Sequence, residues 1–272
     1  MQIYIVFEYI ILKQYILVPL FDFRYKTSSP IIAIFESLKQ PQMKCKSIVT
    51  ILLCLFCHVI SAQSFPPLKY LVQKPAITSP HPPVIILLHG YGSNEADLFA
   101  LKDNLPKNFL VISVRGPFPV AKDAYQWYRR ETINNDLKTS SLLIQNFITD
   151  IVNKYHADAG NVYLSGFSQG AMLTYEVGLN APQLLKGIAP LSGRLVESMK
   201  PQEAPSEALK KLRIFVGHGD ADNRILYSQG VDAVNYLKKL QLSPEFHTYK
   251  GMTHSISEQE LKDLAAWLND HT

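Results

Sequence analysis

A serine between two glycines is the clearest chemical feature of the sequence. Residues 166–170 read G-F-S-Q-G, between an apolar run that ends at Leu164 and a helix-forming run that begins at Ala171. At a strand-to-helix junction, the spacing G-x-S-x-G forms a sharp turn that lifts the serine hydroxyl above a sheet, and the glycines avoid collisions with neighbouring backbone. The pattern predicts that Ser168 is a catalytic nucleophile.

A serine hydroxyl is a weak nucleophile unless a base, commonly a histidine held by a carboxylate, removes its proton. When the serine lies on such a turn, the acid and then the histidine follow it along the chain. His254 lies in a loop between a predicted strand and the last predicted helix, from which it can reach the serine. His247 falls inside that strand and His271 lies at the chain terminus. His254 is therefore the predicted base.

Two aspartates are candidates for the acid. Asp220 and Asp222 both follow the predicted strand Leu212–Val216, and either carboxylate could orient an imidazole ring and stabilise its cation. Their spacing alone does not choose between them. His218 precedes both acids and does not fit the required chain order.

Attack of a serine on a carbonyl group also needs N–H donors for the negative charge that develops on the carbonyl oxygen in the tetrahedral intermediate. One donor is expected from the residue after the nucleophile, Gln169, and the other from a loop that follows an early strand. Residues 89–92, which read H-G-Y-G, directly follow the predicted strand Val84–Leu88 and supply this loop. The Tyr91 N–H is the expected second donor, and His89 is expected to hold the loop in shape.

The elements that must position these residues alternate along the chain. Short, continuously apolar runs are typical of strands covered on both faces. Helical spacing of apolar residues is clearest over residues 143–155, and Ser257 can cap the last helix. The alternation predicts an α/β fold with a mostly parallel central sheet, helices on both faces and no large cap domain. The predicted strands are Val84–Leu88, Phe109–Val114, Val162–Leu164, Gly187–Leu191, Leu212–Val216 and Phe246–Tyr249.

The N-terminal part of the chain has the features of an export signal. Residues 43–62 begin with a short basic segment, continue through the apolar run Ser47–Ile60 and end in small residues, which is the pattern of a secretory signal peptide. The run is short for a membrane span, which needs about 20 apolar residues. All three cysteines lie in this segment, so the exported chain would contain no disulfide and no thiol nucleophile. We therefore expect a secreted or periplasmic protein, with a membrane-anchored enzyme as the alternative if residues 1–62 are retained.

Residues 1–42 precede that signal and do not fit it, because a signal peptide belongs at the N-terminus. We interpret them as a non-native extension from an over-extended reading frame, with Met43 as the true start and a genuine leader as the alternative. Residues 63–272 are then predicted to form a single domain. Its 21 Lys and Arg against 20 Asp and Glu give a net charge of +1, against +4 for the whole chain. Nucleic-acid binders usually carry a basic patch, so this balance gives no indication of a nucleic-acid partner.

The motifs together resemble the phospholipase/carboxylesterase family of α/β hydrolases, which includes the acyl-protein thioesterases. The resemblance covers roughly Pro83 to Leu268 and rests on H-G-Y-G, G-F-S-Q-G, L-S-G, H-G-D-A-D and Y-K-G-M-T-H. It implies that the catalytic acid is Asp222 rather than Asp220. The family commonly has a Pro-x-Val-Pro-like stretch after that aspartate, whereas N-R-I-L follows here. Residues 125–128 also resemble a family segment near the site, so Trp127 is expected to line the acyl or alcohol pocket.

The resemblance and the triad together predict a serine carboxylic-ester hydrolase that forms an acyl-enzyme, without metal or organic cofactor, on short or accessible acyl esters. The substrate is expected to be a small molecule or an ester linked to lipid or polysaccharide. A thioesterase, a lysophospholipase and a polysaccharide acetyl or feruloyl esterase are alternatives with the same machinery. A non-catalytic binding protein on a hydrolase scaffold is the alternative from another class, because fold alone does not imply function. Oligomeric state is not predicted.

Overall fold

A central sheet dominates the structure, a computed structural model that describes residues 67–201 and 204–270. Within these residues, seven strands form one sheet in the spatial order β1-β3-β2-β6-β7-β8-β9, and β4 and β5 form a separate hairpin. Every neighbouring pair in the large sheet is parallel except β1 with β3. The strands are β1 Tyr70–Gln73, β2 Val84–Leu88, β3 Leu110–Val114, β4 Phe118–Ala121, β5 Ala124–Gln126, β6 Val162–Phe167, β7 Gly187–Leu191, β8 Arg213–Gly219 and β9 Glu245–Tyr249.

Helices cover both faces of this sheet. Side chains that alternate along β2 belong to two apolar clusters: that of Ile86 includes residues of α2, α3 and α5, whereas that of Ile85 includes residues of α1 and α6. The strands are therefore buried on both sides, which explains their continuous apolar runs. The prediction of a mostly parallel sheet with helices on both faces is confirmed. The helices are α1 Glu95–Phe99, α2 Ile133–Tyr155, α3 Gln169–Asn180, α4 Glu207–Lys211, α5 Tyr227–Lys239 and α6 Glu258–Asn269.

The largest differences from the predicted elements occur where the sequence pattern is mixed. Strand β1 has no fully buried residue, and the β4–β5 hairpin is mostly exposed and contains Pro119, so neither has a strong strand pattern. Helix α2 begins ten residues before the apolar stripe at Leu143. Its first turns are mainly polar, so the spacing of apolar residues does not reveal them. The Ser257 side chain accepts a hydrogen bond from Glu260 N–H (3.1 Å), as expected of a cap for α6.

Parallel pairing brings the carboxyl ends of β2, β6, β7, β8 and β9 to one edge of the sheet. Loops that leave these ends are where ligands bind in open α/β sheets. In the described part of the chain, no helix is both long and apolar enough to cross a membrane. The predicted signal peptide, residues 43–62, and the predicted extension, residues 1–42, lie outside the described residues.

Candidate active site

The structure brings Ser168, His254 and Asp222 into one hydrogen-bonded chain at the carboxyl edge of the sheet. Ser168 Oγ lies 2.8 Å from His254 Nε2, and His254 Nδ1 lies 2.7 Å from Asp222 Oδ2. Since an ionised carboxylate only accepts hydrogen bonds, Nδ1 carries the proton and Nε2 is left to accept the serine proton. Such an arrangement can activate a hydroxyl for attack on a carbonyl carbon.

Ser168 sits on a strained turn between β6 and α3. Its φ is +55°, a region that non-glycine residues rarely adopt and that costs about 1–3 kcal/mol. Its N–H donates to Leu191 O at the end of β7 (3.0 Å), which anchors the turn to the neighbouring strand. A side chain at Gly170 would overlap the carbonyl oxygen of Leu88, and one at Gly166 would overlap that of Gly170. The two glycines are thus required by close backbone approach.

The two candidate acids lie on the loop after β8 in different environments. Asp222 is buried, and its Oδ1 accepts hydrogen bonds from the N–H groups of Arg224 (2.9 Å) and Ile225 (3.0 Å). Burial raises the pKa of Asp222, but the hydrogen bonds from His254 and from these N–H groups outweigh it, so the pKa is below its ordinary value. Asp220 is exposed and instead accepts from Gly251 N–H (2.6 Å) in the histidine loop. Asp222, and not Asp220, therefore lies against the imidazole.

Two further histidines act as buried supports for the loops of the site. His218 Nε2 donates to Ile225 O (2.9 Å), which holds the acid loop. His89 Nδ1 donates to Gly90 O (2.7 Å), and its Nε2 accepts from Gly116 N–H (2.9 Å). Burial lowers the pKa of both histidines, so both stay neutral near pH 7. His89 thus fixes the H-G-Y-G loop, as expected from its position upstream of the nucleophile.

The two expected oxyanion donors come from different elements beside Ser168. Tyr91 belongs to the loop after β2, Gln169 is the first residue of α3, and both line the same cavity as the serine. Within residues 67–201 and 204–270, neither N–H has a backbone or side-chain acceptor. Both donors are therefore free to bind a substrate oxygen.

Trp127 does not line the pocket, contrary to expectation. It is fully buried, and its indole N–H donates to His89 O (2.9 Å). Its backbone N–H donates to the side chain of Gln169 (2.8 Å), whose amide in turn donates to Tyr128 O (2.8 Å). A side chain with no exposed surface cannot contact a substrate. Trp127 instead ties the first donor loop to the helix that carries the second.

A cavity of about 580 Å³ opens above Ser168. The neighbouring residue Tyr128 lines it where Trp127 was expected, with its hydroxyl 2.8 Å from Met172 Sδ. The sequence signals did not single out the arginines of this cavity, although one of them falls in the stretch N-R-I-L that departs from the family pattern. No Asp or Glu of the described residues lines it. The lining residues are Gly90, Tyr91, Tyr128, Arg130, Ile133, Phe167, Ser168, Gln169, Met172, Arg194, Arg224, Ile225 and His254.

The described residues contain no cluster of three or more His, Cys, Asp or Glu side chains that could hold a metal ion. Nitrogen atoms of His218 and His254 lie 3.5 and 2.7 Å from Asp222 Oδ2. The other oxygen of this carboxylate already accepts a hydrogen bond from a backbone N–H group.

A serine on a strand-to-helix turn, followed in the chain by an aspartate and a histidine at the carboxyl edge of a mostly parallel sheet, defines an α/β-hydrolase fold. The crystal structure of esterase PE8 superposes on this chain with a TM-score of 0.64 and 25% identity, covering 76% of this chain and all of that one. The chain belongs to the phospholipase/carboxylesterase family, whose sequence profile matches residues 72–272. The resemblance inferred from the motifs is thereby confirmed.

The curated relatives include both acyl-protein thioesterases and carboxylesterases. Acyl-protein thioesterase 1 of Kluyveromyces lactis is 30% identical over 213 residues, which cover 68% of this chain and 90% of that protein. Carboxylesterase SOBER1 of Arabidopsis thaliana is 39% identical over 109 residues, covering 40% of this chain and 47% of that protein. The matches to several other relatives likewise span less than half of the relative's length.

Proposed function

We propose that the protein is a serine carboxylic-ester hydrolase that acts through an acyl-enzyme. The observation that carries the proposal is the continuous hydrogen-bonded chain from Ser168 through His254 to Asp222, with distances of 2.8 and 2.7 Å. Nucleophile and base within hydrogen-bond reach, with the base oriented by a third group, are the signature of covalent catalysis. A binding protein on the same scaffold would not need this complete chain.

In the first half of the reaction, Ser168 Oγ attacks the ester carbonyl carbon while His254 Nε2 accepts its proton. Asp222 stabilises the imidazolium that forms and keeps Nε2 directed at the serine. The C–O bond to the alcohol then breaks, and His254 returns the proton to the departing alcohol oxygen. In the second half, water attacks the acyl-enzyme, His254 accepts its proton, and the carboxylic acid leaves as that proton passes to Ser168 Oγ.

The N–H groups of Tyr91 and Gln169 are assigned to the negative oxygen of the tetrahedral intermediate. Both are free, both belong to residues that line the cavity, and the second begins helix α3, whose N-terminus favours negative charge. A single donor of this kind contributes about 3 kcal/mol to barrier reduction. No cofactor has a role in these steps.

We propose short or accessible acyl esters of small molecules or lipids as substrates, because the cavity is of moderate volume and partly polar. Thioester hydrolysis is the second candidate, and the similarity to the thioesterase of Kluyveromyces lactis over 68% of this chain supports it. The same atoms attack either carbonyl, so only the leaving group differs. Matched acyl esters and acyl thioesters compared by kcat/KM separate the two.

Hydrolysis of a p-nitrophenyl ester series from acetate to palmitate tests the proposal. We expect highest activity on short chains and its loss in Ser168→Ala. Ser228→Ala, at an exposed serine of α5, is the matched control and should retain activity. A folded wild-type protein without activity on any chain length, or equal activity in Ser168→Ala, would contradict it.

Export is proposed from the pattern of residues 43–62, with membrane anchoring as the outcome if the segment is retained. N-terminal sequencing of the protein from its native cells separates the alternatives. A mature chain that begins at or near Gln63 supports export, and one that begins at Met1 contradicts both the signal peptide and the start at Met43.

A further inference from the structure

The cavity above Ser168 is lined by three arginines, Arg130, Arg194 and Arg224, and by no carboxylate of the described residues. The net charge of residues 63–272 is only +1, so this concentration of positive charge is local. Walls of one charge sign around a cleft attract a ligand of the opposite sign and raise its local concentration. A pocket for purely apolar acyl chains has no need of this charge.

These arginines differ from the others in their partners. Of the arginines in residues 67–201 and 204–270, Arg115, Arg129 and Arg213 each form an ion pair with a carboxylate. The three cavity arginines form none within the described residues. The contrast is sharpest at adjacent positions, since Arg129 binds Asp136 (2.8 Å) and Arg130 faces the cavity without an acid.

Arg194 is the central member of the set because it is half-buried. Its Nε has no solvent contact and no hydrogen-bond partner within the described residues. A buried charged donor without a partner costs free energy unless a ligand satisfies it. Arg194 is the third residue after β7, near the strand end that anchors the Ser168 turn.

The three arginines come from different segments of the cavity wall. Arg130 and Arg194 both act electrostatically on the Tyr128 hydroxyl: burial raises the pKa of Tyr128 to about 12, and these two charges oppose that rise. Arg224 belongs to the loop after β8, where its backbone N–H donates to Asp222 Oδ1. Arg224 is part of the stretch N-R-I-L, where this chain departs from the family pattern.

We propose that this site selects esters that carry an anionic group, a carboxylate or a phosphate, close to the scissile bond, and that Arg194 binds that group with Arg130 and Arg224 in support. The inference rests on the proposed ester hydrolysis and names its substrate class. Guanidinium groups present paired N–H donors that match the two oxygens of a carboxylate or phosphate. A bound anion would satisfy the buried Nε of Arg194, whereas a neutral ester leaves it unpaired.

The test compares esters of similar size, one of which carries an anionic group while the other is neutral. On the acyl side, 4-nitrophenyl hydrogen adipate is compared with 4-nitrophenyl hexanoate. On the alcohol side, 4-carboxyphenyl butyrate and 4-(phosphonooxy)phenyl butyrate are each compared with 4-carbamoylphenyl butyrate. We expect at least one anionic ester to exceed its neutral partner in kcat/KM by about tenfold or more. The pair that shows this preference identifies whether the anionic group belongs on the acyl or the alcohol part of the ester, and whether a carboxylate or a phosphate is preferred.

Variants then assign the preference to the arginines. In Arg194→Gln the anionic-to-neutral ratio should fall by about tenfold, and in the exposed Arg224→Gln by a smaller factor. The preference should also weaken in 0.5 M salt, because salt screens exposed charges. Arg213→Gln is the matched control: Arg213 is ion-paired at the start of β8, remote from the strand end that leads to Asp222, and its ratio should stay at the wild-type value.

The outcomes distinguish this inference from the function on which it rests. Hydrolysis of neutral esters with ratios near one for every pair overturns the anion preference and leaves ester hydrolysis standing. A preference that persists unchanged in both Arg194→Gln and Arg224→Gln also overturns it. No hydrolysis of any ester by the folded wild-type protein contradicts the proposed function itself.

Discussion

A buried carboxyl group under the active-site strands should make the protein lose stability as the pH rises. Glu260, in the first turn of α6, has no exposed surface, and a side chain at Gly217 of β8 would overlap its carboxyl group. Burial raises the pKa of Glu260 to about 8. The Ser257 N–H lowers this pKa and the negative charge of Asp263 raises it further, but burial is the largest effect. The substitution Glu260→Gln keeps the shape and removes the ionisation.

The sign and size of the effect follow from the two pKa values of Glu260. The ordinary pKa of 4.5 applies to the unfolded chain, so between about pH 4.5 and 8 the unfolded state has lost a proton that the native state keeps. Stability then falls with rising pH by about 1.4 kcal/mol per unit, which amounts to about 3 kcal/mol between pH 4.5 and 7. The contribution is fully present below pH 4.5 and lost as the pH passes about 8.

Urea unfolding followed by tryptophan fluorescence between pH 4 and 9 measures this difference. The free energy of unfolding of Glu260→Gln minus that of the wild type should rise by about 1.4 kcal/mol per pH unit over the middle of the range. Other titrating groups cancel in the difference. Glu258→Gln, at an exposed position on the same helix beside Lys262, is the control and should show no such rise. Parallel pH profiles for wild type and Glu260→Gln would refute the reasoning.

Three further predictions concern the geometry of the site. Trp127→Phe removes the buried donor to His89 O, so kcat for p-nitrophenyl butyrate should fall about tenfold or more with little change in KM; a rise in KM alone would contradict the positioning role. Gly170→Ala places a Cβ on the carbonyl oxygen of Leu88, so either the thermal midpoint or kcat should fall strongly, and wild-type values of both would refute the close approach. Asp222→Asn should keep the fold by circular dichroism and lower kcat by about 10⁴, because an amide no longer enforces the reactive histidine tautomer; Asp220→Asn is its control, with an effect under tenfold.

The sequence predicts the sheet and the chain order of the candidate triad because both depend on local patterns. Apolar runs mark strands buried on both faces, and the glycine spacing around Ser168 marks a turn that only small residues allow. The confirmed fold then brings the loops after these strands to one edge. Weakly patterned elements, such as β1 and the β4–β5 hairpin, are not visible in the same way because they are only partly buried.

Tertiary placement of single side chains is the part that the sequence could not supply. Asp220 and Asp222 are two residues apart on one loop, yet one binds Gly251 N–H and the other His254. The resemblance of residues 125–128 to a family segment predicts a pocket wall at Trp127, but Trp127 is buried in the core and its neighbour Tyr128 lines the cavity. These outcomes depend on contacts between residues far apart in the chain, which spacing does not encode.

The central claim is that Ser168 is the activated nucleophile, and covalent labelling with a fluorophosphonate measures this directly. Intact mass spectrometry should show one adduct per chain, peptide mapping should place it on Ser168, and labelling should be lost in Ser168→Ala and strongly slowed in His254→Ala. Because the reagent reacts with activated serines, its rate reports the hydrogen-bonded chain seen in the structure. An adduct on another serine, or no adduct on a folded wild-type protein, would contradict the account.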